Sequence, residues 1–354
     1  MKTPRGGWSG GPQAKPATEY DIRYGSGLLA AQSSNLPRYA VVTTPSAYAA
    51  ARPLLTQEPV GVMMPQSCDF AHLEALTAKL PQNVELVLGI GGGTALDVAK
   101  YVALSRHCPL VLVPTIVSTG AIIHGVFARW QGRRLIGGVD EWPWIDPECV
   151  LVDYDLALAA PDHLNCAGIG DVLCMYGGLA EWRRNAAAGS GPPWDEGLLG
   201  PSVTYLQRIA EQFPPTLGPA GELTSVSVRF ITEALRERDS KSVRDPAFVG
   251  ADHQFLHIME LVNDQSWIHG EIVALGATIV AWRCGDAPEQ LVAKLESCRV
   301  RHLPSQIGVK KGQLWKGLQA TVDYFAQKNV DSILSRDPMD KNTFEKLWGF
   351  LESA

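Results

Sequence analysis

No apolar run in this 354-residue chain approaches the roughly 18 residues that span a bilayer, so no transmembrane helix and no membrane partner are expected. Paired cysteines are missing too. The seven cysteines are an odd number with no CxxC spacing, which argues against a disulfide framework. Cys108, Cys149, Cys166 and Cys174 lie among apolar residues and read as buried free thiols, consistent with a reducing cytoplasm. Positive charge is in deficit: 31 Lys and Arg against 37 Asp and Glu leave a net charge of -6. Nucleic acid and anionic surfaces are therefore not expected as partners. Internal repeats and low-complexity tracts are absent. The opening stretch, Met1 to Pro16, is rich in Gly, Pro and Lys and lacks the apolar centre of a signal peptide. It reads as a disordered tail over residues 1–16.

What the chain does have is length enough for two domains and an ordinary globular composition, 46% hydrophobic and 19% charged. The first half alternates short apolar runs with helical patterns. Candidate strands are Tyr39 to Thr44, Val60 to Met64, Val84 to Leu88, Leu110 to Val113 and Cys149 to Val152. Candidate helices between them include Ala71 to Leu80 and Thr94 to Leu104. Near-continuous apolar strands suit a parallel sheet covered on both faces. After about Asp155 the helical period dominates, with helices expected at Cys166 to Asn185, Leu223 to Arg238, Gln254 to Val262 and Glu271 to Arg283. The fold class that follows is an α/β Rossmann-like domain over residues 17–158 and an all-α domain over 159–354. The loop Glu141-Trp142-Pro143-Trp144 reads as either a packed lid or an interface.

The third strand runs into Gly89-Ile90-Gly91-Gly92-Gly93-Thr94-Ala95-Leu96-Asp97-Val98-Ala99-Lys100. A strand that ends in glycines and leads into a helix presents backbone N–H groups at a helix N-terminus. Glycine lets a pyrophosphate approach them, and the helix dipole favours its charge. Gly91, Gly92 and Gly93 are the expected cradle, with Asp97 and Lys100 on the first turns of the helix behind it. Thr115, Ser118 and Thr119 follow the next strand, where open α/β sheets bind ligands. The cofactor class is a dinucleotide, NAD or NADP. No acidic residue follows Thr43-Thr44-Pro45 to hold a ribose 2′-hydroxyl, so strict NAD preference is not expected.

A second group carries different chemistry. Asp171 follows Gly168-Ile169-Gly170, near the expected start of a helix. His253 opens one helical pattern, and His269 lies sixteen residues further on, before another. A carboxylate and two neutral imidazoles suit Zn²⁺, with Fe²⁺ or Ni²⁺ as alternatives, and leave a position for a substrate oxygen. His257, one turn after His253, competes with His269 as the third ligand, and spacing alone does not choose between them. Arg129, Arg133 and Arg134 read two ways: as contacts for a substrate phosphate, Arg129 first among them, or as a solvated charged hairpin.

Together these strings resemble the superfamily of iron-containing alcohol dehydrogenases, glycerol dehydrogenases and dehydroquinate synthases. The resemblance runs from Tyr24-Gly25-Ser26-Gly27 to Gly308. Its markers are GGGTALDVAK at Gly91 to Lys100, VPT at Val113 to Thr115, AGIGD at Ala167 to Asp171, GADHQFLH at Gly250 to His257 and HGE at His269 to Glu271. The nearest likeness is to the sn-glycerol-1-phosphate dehydrogenase branch. It implies a dehydroquinate synthase-like fold, with Asp171, His253 and His269 as metal ligands and His257 as a nearby support or substrate contact. It also implies a metal-dependent NAD(P) oxidoreductase of a small polyol or polyol phosphate, cytoplasmic, and a homo-oligomer as in relatives.

Two departures bear on the substrate. Gly120 stands where polyol dehydrogenases of the superfamily carry a substrate-contacting aspartate, and Met175 where alcohol dehydrogenases add a histidine. A sugar-phosphate cyclase using NAD transiently is the competing expectation, although its basic glycine-rich segment is missing. A non-catalytic scaffold is the third.

Overall fold

The computed structural model describes residues 4–240, 250–328 and 330–354. The chain divides into two compact units: the described residues of 1–165 and 218–240 form one, and those of 166–217 and 241–354 form the other. The expected single boundary between 158 and 159 differs from this in two ways. The break falls inside the helix Asp162–Leu173, and the helix Ser225–Ser240 returns to the first unit. Apolar periodicity shows which face of a helix is buried but not against which body.

Six parallel strands form the sheet of the first unit: β1 (Ile22–Gly25), β2 (Tyr39–Thr43), β3 (Gly61–Met63), β4 (Leu86–Gly91), β5 (Leu110–Pro114) and β6 (Cys149–Asp153). Their spatial order is β1-β6-β5-β4-β2-β3. Every residue of β2, β4, β5 and β6 is buried, which is why these four read as unbroken apolar runs. Their branched side chains fill a core that includes Val41, Leu88, Ile90, Val113 and Leu151. Each such burial contributes about 1.5–3 kcal/mol. β1 was not among the expected strands. It is an edge strand bonded to β6 alone, and its half-buried Ile22 and Tyr24 and exposed Arg23 carry little apolar signal.

The chain passes outward from β2 to β3, returns across β2 to β4, and then runs the other way through β5 to β6. The direction reverses between β2 and β4, so the turn that leaves β4 lies at the topological switch point, where ligands bind in open α/β sheets.

The expected disordered tail is corrected over its described residues. Gly6–Gly7 pairs antiparallel with Trp144–Ile145. The buried carboxylate of Asp146 accepts from Arg5 Nε at 2.6 Å, Lys15 N at 3.0 Å and Tyr20 Oη at 2.8 Å. Trp8 meets Tyr101 edge-on at 5.6 Å. Gly and Pro read as disorder in composition, whereas here the missing side chain lets the strand lie against Trp144: a Cβ on Gly6 would fall 2.7 Å from its carbonyl oxygen. The tryptophan loop is packed. Trp144 is buried and donates from Nε1 to Ser9 O, and Trp142 donates to Ile136 O.

The helices that build the two sites are α1 (Gly93–Arg106), α2 (Asp162–Leu173), α3 (Met175–Ala187), α4 (Ala251–Asn263) and α5 (His269–Cys284). The second unit is helical, and α5 runs through its middle with Gly270 to Ala281 all buried. A helix apolar on every side belongs in such a position. The expected helix Cys166 to Asn185 is broken at Cys174, where Gly177 N–H donates to Cys174 O three residues back. Among the described residues no helix is long and apolar enough to cross a membrane. Cys108, Cys149, Cys166 and Cys174 are buried free thiols, as expected.

Candidate active site

The glycine cluster forms the turn from β4 into α1. Gly91 has φ 148°, a conformation that side chains disfavour. Gly92 is the N-cap of α1 and offers no side chain to cap it. Gly92 and Gly93 are partly exposed and Thr94 is exposed, so the first N–H groups of a fourteen-residue helix open outward. Thr119 packs beside them, its Cγ2 2.8 Å from where a Cβ on Gly93 would stand. Thr115 and Ser118 are buried under this edge, and Thr115 N–H donates to Gly91 O at 3.0 Å. The helix Pro45–Ala51 starts after β2 with Thr44 as its N-cap.

Lys100 requires a correction. Expected to meet the cofactor, it is fully buried instead. Its ammonium donates to Asp97 Oδ1 at 2.8 Å, Ala121 O at 2.7 Å and Val126 O at 3.2 Å, which uses all three hydrogens. It clamps the loop after β5 to α1, and Asp97, partly exposed, is its counter-charge. Arg129 lies exposed on the hairpin of Arg129–Gln131 and Arg134–Ile136, its guanidinium 5.9 Å from the Phe70 ring centroid.

In the second unit, Asp171, His253 and His269 come together. His253 Nε2 lies 3.3 Å and His269 Nε2 3.4 Å from the same oxygen, Asp171 Oδ1. Ligands about 2.0–2.1 Å from a tetrahedral ion stand about 3.3–3.4 Å from one another, so both distances match two edges of such a site. The donor set, one carboxylate and two imidazoles, fits a divalent first-row ion. Asp171 is 1% exposed, His253 and His269 rather more, so the group opens on the imidazole side.

The elements explain the convergence. Asp171 sits near the C-terminal end of α2, not at a helix start as expected. His269 is the first residue of α5. The two helices touch through glycines: a Cβ on Gly270 would fall 1.7 Å from Ala167 O, and one on Gly170 2.4 Å from Gly270 O. Backbone contact at the neighbours of Asp171 and His269 draws those two side chains together. α4 starts at Gly250, which has no side chain to cap it. Glu181 from α3 supplies the acceptor, taking Ala251 N–H at 3.0 Å, and also takes Ser332 Oγ at 2.7 Å and Ile333 N–H at 2.8 Å. Burial raises the Glu181 carboxyl above the ordinary range.

Asp252 is a candidate positioning residue that sequence reasoning missed. It is 1% exposed, and its Oδ2 lies 2.6 Å from His253 Nδ1. A carboxylate on one ring nitrogen fixes the tautomer and aims the other nitrogen, here Nε2 toward Asp171. Its only signal was its place next to His253. Cys174 stands on that same Nδ1 side, 3.9 Å away, and donates to Asp171 O. Its thiol, Asp171 and His253 also form a compact group of ligand-type atoms. Asp252 already occupies the Nδ1 edge of His253 that Cys174 would share, which leaves Nε2 toward Asp171 and His269 as the candidate ligand side. Burial lowers the pKa of His253, but Cys174, Asp252 and Asp171 outweigh it and hold the value well above the ordinary one. Burial and the nearby His269 and His253 push the pKa of His257 down to about 3, so its ring is neutral.

Residues 38–161 match the family model for iron-containing alcohol dehydrogenase. A glycerol-1-phosphate dehydrogenase [NAD(P)+] of Aeropyrum pernix is 25% identical over 255 residues, covering 69% of this chain and 68% of that protein. A glycerol dehydrogenase of Thermotoga maritima is 28% identical over 255 residues, covering 68% of this chain and 66% of that protein. Among solved structures, a probable glycerol dehydrogenase from Sinorhizobium meliloti superposes with a TM-score of 0.68 at 20% identity, covering 95% of this chain and 98% of that one. The expected fold is the one these structures share.

Proposed function

We propose that this chain, whose residues 38–161 match the iron-containing alcohol dehydrogenase model, is a metal-dependent NAD(P) oxidoreductase. Its reaction interconverts a small polyol, free or phosphorylated, and the corresponding ketone. The observation that carries the reading is the approach of two imidazole Nε2 atoms to one buried carboxylate oxygen at 3.3 and 3.4 Å. The named activities of the relatives, on glycerol and glycerol 1-phosphate, support the substrate class.

A dinucleotide held at Gly92 and Gly93 would supply the two-electron hydride acceptor that oxidation of a carbinol needs. Asp171, His253 and His269 would hold a divalent ion, which would supply Lewis-acid stabilisation of negative charge on a bound oxygen. Asp252 keeps His253 in the tautomer that ligation requires. Gly92 and Gly93 would present N–H groups to the pyrophosphate, with Thr119 beside them on the same edge. No carboxylate follows Thr44, which favours use of both NAD and NADP.

The test is NAD(P)H absorbance with metal-loaded protein and a panel of polyols and their phosphates, beside metal analysis. Turnover is expected, and His269→Ala loses both metal and turnover. A metal-loaded protein that neither binds NAD(P)H nor reduces NAD(P)+ with any of them overturns the reading.

A further inference from the structure

The start of α4 is a joint of three helices, α3, α4 and α5, all in the second unit. Gly250, its N-cap, has an ordinary φ of -84°, so this glycine answers to space and not to backbone conformation. A Cβ there would fall 2.9 Å from Gly178 Cα of α3. α5 packs against the same turn: a Cβ on Gly276 would fall 3.0 Å from Asp252 Cα and 3.1 Å from its carbonyl oxygen. α3 and α5 close the triangle, where a Cβ on Gly177 would fall 2.8 Å from Ala277 Cα. Backbone packing thus encloses the turn that carries Asp252 and His253.

Such close packing denies position 250 a side chain with which to cap its own helix. A helix start without a cap leaves N–H groups unpaired, and Ala251 is buried away from water. Glu181, 7% exposed on α3, fills the need. Its Oε2 accepts from Ala251 N–H at 3.0 Å. Its Oε1 accepts from Ser332 Oγ at 2.7 Å and from Ile333 N–H at 2.8 Å. The second pair fixes the carboxylate to the start of the helix Ile333–Arg336, so it meets α4 already anchored. Ala251 is followed directly by Asp252 and His253.

We propose that Glu181 is a positioning residue for the metal centre: by capping α4 at Ala251 it fixes the turn that sets Asp252 against His253 Nδ1 and so aims Nε2 at Asp171. The inference rests on the functional reading above. Glu181 is not itself a ligand, and its effect passes through the backbone of α4. Removing its acceptor leaves a buried N–H unpaired and loosens the first turn of the helix. A looser turn lets the imidazole take several orientations, which lowers affinity for an ion that needs one of them.

The experiment measures Zn²⁺ affinity by competition with a chromophoric chelator, and the visible absorption of the Co²⁺-loaded protein, on the full chain. Glu181→Gln keeps the side-chain volume. With its oxygen on Ser332 and Ile333 it turns an amide donor toward Ala251 N–H. It is expected to weaken zinc binding by about 3- to 10-fold and to shift the cobalt bands, with far-UV circular dichroism unchanged. Glu181→Asp, which keeps the charge but shortens the reach by one methylene, decides the matter with the same expected loss if Glu181→Gln does not fold. Leu347→Val is the structural control, a core truncation in the helix Lys341–Ser353 of the same unit. It lowers the urea midpoint while zinc affinity stays within about twofold of wild type. Wild-type zinc affinity and cobalt bands in the Glu181 variants, or an equal weakening by Leu347→Val, overturn the role of Glu181 and leave the functional reading intact. A wild-type chain that binds neither ion overturns both.

Discussion

Asp252 shows how much a single side chain can decide without touching a ligand. Its contact with His253 Nδ1 at 2.6 Å leaves Nε2 as the nitrogen facing Asp171. Partners of this kind are worth about 10- to 100-fold in metal affinity. Asp252→Asn is therefore expected to weaken zinc binding by that order, read by competition with a chromophoric chelator, with no change in far-UV circular dichroism. Unchanged affinity would mean that packing alone orients the ring. Sequence spacing left His257 and His269 as rivals, and the structure shows why it had to. The deciding contact joins Gly170 to Gly270, a hundred positions apart, and leaves no trace in local pattern.

Among the elements, α2 and α5 have the least tolerance. Gly270→Ala puts a methyl 1.7 Å from Ala167 O, and neither backbone can yield without moving Asp171 or His269. Overpacking of this severity is expected to cost at least about 3 kcal/mol in urea unfolding and to deplete bound metal. Gly349→Ala is the control. It lies in the helix Lys341–Ser353 with nothing within 4 Å of a new Cβ, and it should stabilise by about 0.5–1 kcal/mol. Elements were legible in the sequence where burial is two-sided. β2, β4, β5 and β6 could be read directly, whereas edge strand β1 and the Gly6–Gly7 strand could not, because their pairing is specified by distant partners. The break at Cys174 escaped for a related reason: apolar residues continue through it.

For the whole molecule, the acid limb of stability should carry the mark of His302. Its ring is fully buried, and desolvation holds its pKa below the ordinary histidine value of 6.5, though the contact with Val300 O opposes this. Because the folded state resists protonation, unfolded chains bind more protons as pH drops below about 6.5. Stability present above that pH is lost progressively as pH falls toward the depressed folded value. His302→Gln should flatten the urea midpoint between pH 6.5 and 5, whatever its effect at pH 8; an unchanged slope would assign the acid limb to other groups.

Lys100 has a consequence of another kind. Its amine is sealed behind three acceptors at the centre of the first unit, while most lysines of this chain are partly or fully exposed. An acylating reagent labels those at once but reaches this one only in molecules that have opened. Mass spectrometry of the peptide that carries it would therefore count opening events of the dinucleotide half alone, a clock already built into the chain.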